Sequence, residues 1–208
     1  LAAGDRVTAT ATEVLGTNQY GSTSEMSANI VAQSYIIAVT STTDVADGNT
    51  SNIANLANSA GSDGVISLRE AITAANNTNG LNEIWFAIGN GIQTIHVLSE
   101  LPHIDDRIVI DGTTQWGWTS NPLVVLDGTN AGAVDGLHLI SGSSGSTIRG
   151  LVISNFGDDG IDINVGSDNN FVFGNWIGVD STGTSAAGNA SDGLEINSSG
   201  NTIGGTGL

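Results

Sequence analysis

The chain has 208 residues, a formal net charge of -17 at pH 7, no lysine and no cysteine. The acidity excludes binding of nucleic-acid phosphates as a main activity, since almost nothing would neutralise them, and the absence of cysteine excludes disulfides and thiol chemistry. No stretch approaches the ~20 apolar residues of a membrane span, and no basic start with an apolar run marks a signal peptide. The length suffices for one sizeable core, or for one core with a small appendage.

The N-terminal segment predicts a β-hairpin. Residues 6–14 alternate small apolar residues with threonine, residues 16–21 turn the chain, and residues 23–31 return as a second strand. The Val-Thr-Ala-Thr-Ala-Thr run and the later Thr-Ser-Glu-Met-Ser phrase at 23–27 resemble the final hairpin of Ig-like or cadherin-like repeats in large bacterial surface proteins. Methionine occupies the position of an aromatic residue. Because a two-stranded hairpin is marginal by itself, we expect it to pack on a neighbouring domain or another molecule.

The next segment begins with a predicted strand over residues 35–41 and continues as a polar stretch over residues 42–63. That stretch is rich in Asn, Asp, Ser and Gly and is predicted to be a solvated loop. Asp44, Asp47 and Asp63 lie in it, but their spacing differs from that of the Asp-x-Asp-x-Asp-Gly calcium loop. We therefore expect these carboxylates to be solvated.

Residues 67–70 have the Ser-x-x-Glu pattern of a capping box. In such a box the serine side chain accepts the amide of the glutamate, and the glutamate side chain accepts the amide of the serine. The apolar positions that follow lie on one face of a single short helix over residues 68–76. We predict that this helix covers the open apolar end of the β structure that follows, because such an end needs a cap to remain soluble. The predicted cap residues are Ser67, Leu68, Glu70, Ala71 and Ile72.

Short apolar runs follow the helix and are predicted to be strands of a parallel structure. They cover residues 84–88, 94–98, 107–110 and 123–126. The four tryptophans either stack on carbohydrate or fill the cap and the first coils, and filling is favoured because large aromatic side chains mainly serve packing. Those residues are Trp85, Trp116, Trp118 and Trp176. Trp116 and Trp118 flank a glycine in a turn region and are the two expected to be exposed.

The C-terminal part repeats one phrase three times. Asp-Gly followed by an alternating Leu/Ile run begins at residues 135, 159 and 192, steps of 24 and 33 residues, and a Gly/Ser/Thr/Ala insertion at 179–191 accounts for the longer step. A period in the low twenties built from short strands and polar turns predicts coils of a parallel β-helix, whereas the fixed Leu/Asn spacing of a leucine-rich horseshoe is absent. Gly, Asn and Asp at the corners are expected to supply positive φ angles.

This register predicts which side chains point inward and stack on successive coils. The expected inward residues are Ile148, Val152, Ile161, Ile163, Val172, Ile177, Leu194 and Ile196. Asn164 and Asn197 occupy equivalent turns, and we expect them to form a short amide ladder.

The sequence resembles the CSLREA-type domain, which stands in front of right-handed parallel β-helices in exported bacterial proteins. The resemblance rests on Ile-Ser-Leu-Arg-Glu-Ala-Ile at 66–72 and Ala-Ala-Asn at 74–76, and it continues into the repeats to cover roughly residues 36–204. Further matching segments are residues 83–86, 94–95, 101–102, 109–115 and 125–128. Ile66 stands where the family has cysteine. The resemblance implies a secreted or cell-surface location, and it does not imply a catalytic site.

Pectin-active enzymes are the main catalytic alternative on such a fold. Gly-Asp-Asp-Gly at 157–160 is similar to the Gly-Asp-Asp phrase of polygalacturonases, in which paired carboxylates act across a glycosidic bond. The upstream Asn-Thr-Asp and the downstream Gly-His-Gly and Arg-Ile-Lys phrases are absent, which leaves His138 and Arg149 as the nearby candidates. Convergence of Asp158, Asp159 and His138 within ~5–10 Å would favour the enzyme.

Metal binding is considered for two residue sets. Asp158, Asp159, Asp162 and Asp168 offer hard oxygen ligands around one turn and form a calcium hypothesis, with solvated corner aspartates as the alternative. The spacing of His96, His103 and His138 is typical of no zinc-site class. Calcium is therefore the one cofactor that the sequence suggests.

Together these patterns predict an all-β protein. Residues 1–34 form the hairpin or the terminal strands of an Ig-like domain, and residues 35–208 form the capped, right-handed parallel β-helix, a solenoid with one short N-terminal helix. The expected function is that of a noncatalytic extracellular structural or adhesive module, such as a stalk, surface-layer or filament-forming unit of a bacterium; the alternative is a polysaccharide lyase or glycoside hydrolase. The abrupt termini predict an excerpt of a longer protein or a processed filament unit, so the expected partners are other copies, neighbouring domains, or glycans.

Overall fold

A computed structural model describes residues 34–205 and the backbone of four short strands before them. The chain divides into two compact units, Leu1–Ser34 and Tyr35–Leu208. In the part of the chain that the structure describes, strands make up 29% and helices 10%, which is compatible with the all-β class. Neither helix of the described part has the length and apolar character that crossing a membrane requires.

The first unit contains antiparallel strands. β2 (Thr12–Gly16) pairs with β3 (Gln19–Thr23), and β1 (Arg6–Val7) pairs with β4 (Ile30–Val31). The predicted return of the chain is present, although the predicted turn at 16–21 is partly strand. Residues 24–27 of the Thr-Ser-Glu-Met-Ser phrase lie outside the described residues, and its resemblance to Ig-like repeats stays a prediction.

The second unit starts with β5 (Ser34–Val39) and then forms a helix, α1 (Ile53–Asn58), that the sequence did not predict. Asn52 caps α1 by accepting the amide of Asn55 at 2.8 Å, and the two apolar side chains of the helix, Ile53 and Leu56, are buried. The prediction of a single helix and a continuous solvated loop over residues 42–63 is therefore wrong. A six-residue helix is too short to show a clear hydrophobic period.

The prediction that the carboxylate of Asp44 is solvated is also wrong. This carboxylate is 1% exposed, binds Arg69 through two hydrogen bonds of 2.9 and 2.8 Å, and accepts the amide of Leu98 at 2.9 Å. Asp47 and Asp63 are exposed. Asp63 accepts the amide of Val65 at 3.1 Å, as expected for a turn residue, whereas Asp47 accepts the amide of Ser62 at 2.7 Å, fifteen residues along the chain.

The second helix, α2 (Leu68–Asn76), has the predicted bounds and the predicted capping box. Ser67 Oγ accepts the amide of Glu70 at 3.2 Å, and Glu70 Oε2 accepts the amide of Ser67 at 2.9 Å. Glu70 Oε1 accepts two more amides, from Asp47 at 2.8 Å and Gly48 at 2.7 Å, so one buried carboxylate fixes the preceding loop to the helix. The apolar face of α2 is buried and packs in the same core as the next strand, β6 (Leu81–Phe86). The residues of this face are Leu68, Ala71, Ile72, Ala74 and Ala75.

Within residues 34–205 the strands form three sheets, and every pair of strands whose register is defined is parallel. One sheet has the order β5, β6 (Leu81–Phe86), β8 (Ile108–Asp111), β11 (Thr147–Arg149), β14 (Phe171–Phe173), β17 (Thr202–Ile203). The second has the order β7 (Gln93–His96), β9 (Val124–Asp127), β12 (Leu151–Ser154), β15 (Trp176–Ile177). The third has the order β10 (Leu137–Leu139), β13 (Ile161–Ile163), β16 (Leu194–Ile196). A short 3-10 helix (Gly112–Thr114) follows β8.

The register follows the repeated phrase. Leu137 pairs with Ile161, and Ile161 pairs with Leu194, so the three Asp-Gly phrases lead into neighbouring parallel strands. The core is built from aliphatic side chains of the three sheets, with Phe86 and Phe156 as the largest fully buried residues.

Most of the expected inward residues are buried. Ile177 and Leu194 are partly buried, and Ile196 is 41% exposed, against the prediction, because its strand has a neighbour on one side only among the described residues. Val152 is buried but lies at the alternate position between Leu151 and Ile153, outside the core cluster and beside Trp176 in the next strand. The remaining members, Ile148, Ile161, Ile163 and Val172, are in the core.

The tryptophans do not fill the interior. Trp116 is 73% exposed, as expected from its turn, and Trp85 and Trp118 are each 38% exposed. The prediction that the tryptophans fill the cap and the first coils is therefore wrong. The core positions of the short strands are taken by aliphatic residues, and Trp85 lies at an outward position of β6 between buried Ile84 and Phe86.

Candidate functional site

Acidic side chains gather at the start of β10 and β13, where each Asp-Gly phrase enters its strand. One oxygen from each of Asp135, Asp158 and Asp159 lies within 4.8 Å of the others. Asp158 is exposed, Asp159 is 5% exposed, and Asp135 is partly buried. Parallel pairing of β10 with β13 is the cause, because it places equivalent residues of successive phrases beside each other.

Two of these carboxylates are engaged with the backbone. Asp135 Oδ1 accepts the amide of Asp159 at 3.0 Å, and Asp159 Oδ1 accepts the amide of Asp192 at 2.6 Å. The aspartates of the repeated phrase therefore connect each repeat to the next one. This role leaves one oxygen of each carboxylate for other contacts.

His138 lies beside this cluster on β10. Its Nδ1 is 3.5 Å from Asp135 Oδ2, and its Nε2 is 3.2 Å from Asp162 Oδ2 on β13. The side-chain Nδ2 of Asn164 is 2.7 Å from His138 Nε2 and 2.9 Å from Asp162 Oδ2. The imidazole is thus held between two carboxylates of adjacent strands.

The two aspartates that flank His138, Asp135 and Asp162, have pKa values raised above the ordinary value. Burial raises the pKa of Asp135, and the neighbouring carboxylates of Asp158 and Asp159 act in the same direction, although the amide of Asp159 and His138 oppose it. Burial likewise raises the pKa of Asp162, and His138 again opposes the shift. Perturbed carboxylates around a histidine are typical of functional sites, although structural networks also produce them.

A second histidine extends the cluster. The rings of His103 and His138 have centroids 4.3 Å apart, and His103 Nε2 is 2.8 Å from Glu100 Oε1. Donor atoms of Glu100, His103 and His138 lie within 4.8 Å of one another. The sequence spacing gave no sign of this pair, because a parallel bridge between Ile104 and Leu139 brings the two histidines together. His96 is placed elsewhere, with Nδ1 2.9 Å from Asp127 Oδ2.

The four aspartates of the calcium hypothesis are not gathered in one place. Asp158 and Asp159 share one cluster, Asp162 belongs to the adjacent one, and no acid/histidine cluster within residues 34–205 contains Asp168. Asp168 accepts the amide of Ser199 at 2.8 Å, across a different turn. The residue that sequence reasoning missed is Asp135, which belongs to both clusters and begins the first copy of the repeated phrase.

Arg149, the candidate cationic base, points elsewhere. Its Nη2 binds Asp111 Oδ2 at 2.5 Å, and its guanidinium lies 5.9 Å from the ring centroid of Phe173. These contacts fix Arg149 on the sheet that contains β8, β11 and β14, whereas the acidic cluster lies on the sheet of β10 and β13.

Comparison of the chain with protein-family models, with curated proteins and with solved structures finds no match. The function of the site is therefore argued from its own residues.

Proposed function

We propose that this chain is a noncatalytic extracellular structural or adhesive module, a right-handed parallel β-helix with the N-terminal cap of a CSLREA-type domain. The observation that carries the proposal is the in-register parallel pairing of strands from successive repeats in three sheets. From β8 onward the chain contributes strands to the three sheets in turn, which is the arrangement expected of a solenoid. The hairpin of the first unit is its appendage.

Polar ladders between repeats support a load-bearing role. Ser143 and Ser167 hydroxyls are 2.6 Å apart, and Asn170 Nδ2 donates to Asn201 Oδ1 at 3.1 Å, so buried polar groups of successive turns bond to one another. Fully satisfied buried networks rigidify a structure and specify one register. A stalk or spacer needs this property, because local opening of one coil would expose the next.

The net charge and composition agree with a secreted or cell-surface location. A charge of -17 without cysteine suits a soluble surface in a medium with salt and divalent cations. We propose a bacterial surface as the place of action, in line with the CSLREA resemblance. Exposed Trp85, Trp116 and Trp118 make glycans a reasonable partner, since tryptophan faces stack on apolar sugar faces.

The first test is resistance to proteolysis. The purified chain is digested with a protease of broad specificity, and the fragments are identified by mass spectrometry. We expect a stable core that spans residues 35–205, because its strands are paired and its amides are engaged. Rapid loss of this core at a temperature well below its unfolding transition would contradict the proposal.

One observation favours the enzyme alternative. Asp158 and Asp159 lie beside Asp135, and His138 Nδ1 is 3.5 Å from Asp135 Oδ2. Against catalysis, Asp159 is buried and holds the amide of Asp192, and Arg149 is bound to Asp111. Release of reducing ends or of unsaturated products from polygalacturonan, lost in Asp158→Asn, would establish the alternative; no release by the wild-type chain supports the structural module.

Self-association is a further part of the proposal. Ile196 on β16 and Ile203 on β17 are 41% and 45% exposed, and each strand has one strand neighbour among the described residues. Such edges favour strand addition between molecules, either from another copy or from additional coils of a longer chain. Light scattering over a range of protein concentrations distinguishes the two sources of added strands. Growth into filaments supports assembly between copies of this chain, and a monomer at high concentration contradicts that assembly.

A further inference from the structure

Asp135, His138 and Asp162 form a cluster of titratable side chains. The proposed structural module assigns no role to this cluster. His138 and Asp162 are paired neighbours on β10 and β13, and the residues on either side of them in each strand point into the core. Both side chains therefore leave the sheet on its outer face. Asp135 reaches the same place from the turn before β10, where its Oδ2 faces His138 Nδ1.

Two buried polar atoms in this cluster have no hydrogen-bond partner among the described residues. Asp162 is 6% exposed, and while its Oδ2 accepts from Asn164, its Oδ1 is unpaired. His138 Nδ1 is also buried and unpaired. A buried carboxylate oxygen without a partner is strongly unfavourable unless a charge or a donor compensates it.

No arginine among residues 34–205 compensates these carboxylates. Arg69 binds Asp44, Arg149 binds Asp111, and Arg107 donates to the carbonyl oxygen of Gly145. The chain has no lysine, and His138 carries a positive charge only when it is protonated. Asp162 Oδ1 is thus a buried carboxylate oxygen without an electropositive partner among the described residues.

We propose that Asp135, His138 and Asp162 bind one divalent transition-metal ion of the zinc class. The three residues offer donor atoms that all lie within 4.8 Å of one another. An imidazole binds one ion through a single nitrogen, because its two ring nitrogens point in different directions. His138 Nδ1, which has no hydrogen-bond partner among the described residues, is 3.5 Å from Asp135 Oδ2. Two ligands that are each about 2.1 Å from a tetrahedral ion stand roughly 3.4 Å apart, so this separation suits a shared ion.

The donor types decide the class of metal. Imidazole nitrogen with carboxylate oxygens suits zinc and its neighbours, whereas calcium takes six to eight oxygen ligands, which this cluster does not provide. Asp135 Oδ1 stays on the amide of Asp159 and fixes the carboxylate, while Oδ2 remains for the ion. Hydrogen bonds that orient a ligating group in this way raise metal affinity.

His103 and Glu100 belong to the surroundings of the site rather than to its centre. His103 already pairs with Glu100 at 2.8 Å, and both side chains are more than 40% exposed. The unpaired buried atoms are on His138 and Asp162. The ion is therefore assigned to the inner group, with His103 stacked on the ring of His138.

The test is a calorimetric titration of the metal-free 208-residue chain with zinc chloride, with calcium chloride in excess to occupy nonspecific acidic sites. We expect one zinc ion per chain for the wild type and for His96→Gln, which changes a histidine that is also paired with an aspartate. His138→Gln and Asp162→Asn should bind at least ~10-fold more weakly. Zinc should raise the melting temperature of the wild type and not that of these two variants.

Several outcomes would overturn the assignment. Absence of a single zinc site in the wild type does so without any variant, so the test stands even where His138→Gln fails to fold. Unchanged zinc affinity in folded Asp162→Asn also overturns it. If His103→Gln abolishes binding while Asp162→Asn retains it, the ion belongs to the outer pair and the assignment to Asp135, His138 and Asp162 is wrong.

Discussion

The carboxylate of Asp135 accepts the backbone amide of Asp159, the equivalent residue of the next repeat, at 3.0 Å. Asp159 in turn accepts the amide of Asp192 at 2.6 Å. The aspartates of the first two Asp-Gly phrases thus each satisfy an amide that lies outside the strand ladder. The aspartate of the repeated phrase therefore connects successive turns of the chain. This structural role explains why aspartate recurs in the phrase, and no catalytic or binding role is needed at each copy.

The first prediction concerns this connection. Asp159→Ala leaves the amide of Asp192 without its acceptor, and we expect the free energy of unfolding to fall by about 1–3 kcal/mol. The measurement is urea-induced unfolding, followed by circular dichroism. Asp158→Ala is the matched control, since Asp158 is exposed and neighbours the same turn; its loss should be within ~0.5 kcal/mol. Equal losses in the two variants would contradict the connector role.

The glycine of the phrase is required by close packing. A Cβ on Gly136 would lie 2.4 Å from the carbonyl oxygen of Gly160, and a Cβ on Gly160 would lie 2.6 Å from that of Gly193. The expectation that corner glycines supply positive φ angles is correct at Gly150, with φ of 72°, but neither Gly136 nor Gly160 has a positive φ. At these two positions the neighbouring backbone leaves no space for a side chain.

The second prediction follows from that contact. Gly136→Ala should lower the free energy of unfolding by about 1–3 kcal/mol, because the added methyl group meets backbone and core atoms that cannot move freely. Gly188→Ala is the control: Gly188 has no positive φ, and nothing lies within 4 Å of its added Cβ. The comparison uses thermal unfolding of both variants. A Gly136→Ala protein as stable as Gly188→Ala would show that the repeats are not packed this closely.

The sequence was sufficient where a pattern repeats or follows a local rule. The α2 helix has its predicted bounds, because the capping box of Ser67 and Glu70 and the apolar face after it are local signals. The strand register of the third sheet was predictable because Asp-Gly phrases mark equivalent positions in successive turns. Handedness and the solenoid architecture stay proposals.

The sequence was insufficient where contacts join residues that share no pattern. His103 and His138 come together through strand stacking, and Asp44 reaches Arg69 from a loop with no period. Asn164 and Asn197 follow paired strands, as predicted. The side-chain Nδ2 of Asn164, however, bonds to Asp162 and His138 rather than to Asn197. The amide ladder occurs instead between Asn170 and Asn201.

The third prediction concerns the cap. Ile72 is fully buried on α2 in the same core as the first strands. Ile72→Asp places an unpaired charge in this core and should lower the free energy of unfolding by ~3 kcal/mol or more. If that variant does not fold, Ile72→Ala replaces it and should lower the free energy of unfolding by ~2–5 kcal/mol. The control is Ile92→Asp, at an isoleucine that is 50% exposed. A melting temperature of Ile72→Asp that equals that of Ile92→Asp would remove the cap hypothesis.

The last prediction is a pH dependence that arises at Asp47. The side-chain hydroxyl and the amide of Ser62 both donate to its carboxylate and hold its pKa below the ordinary value, although burial opposes the shift. A carboxylate with a lowered pKa in the folded state stabilises the fold above the ordinary pKa of about 3.9, and this contribution is lost as the pH falls through the lowered value. The unfolding free energy of the wild type should therefore fall between about pH 5 and pH 2 by more than that of Asp47→Asn, which cannot titrate. Asp63→Asn, at an exposed aspartate of the same segment, is the control and should keep the wild-type slope. Parallel curves for wild type and Asp47→Asn over this range would show that the Ser62 contacts do not stabilise the charged carboxylate.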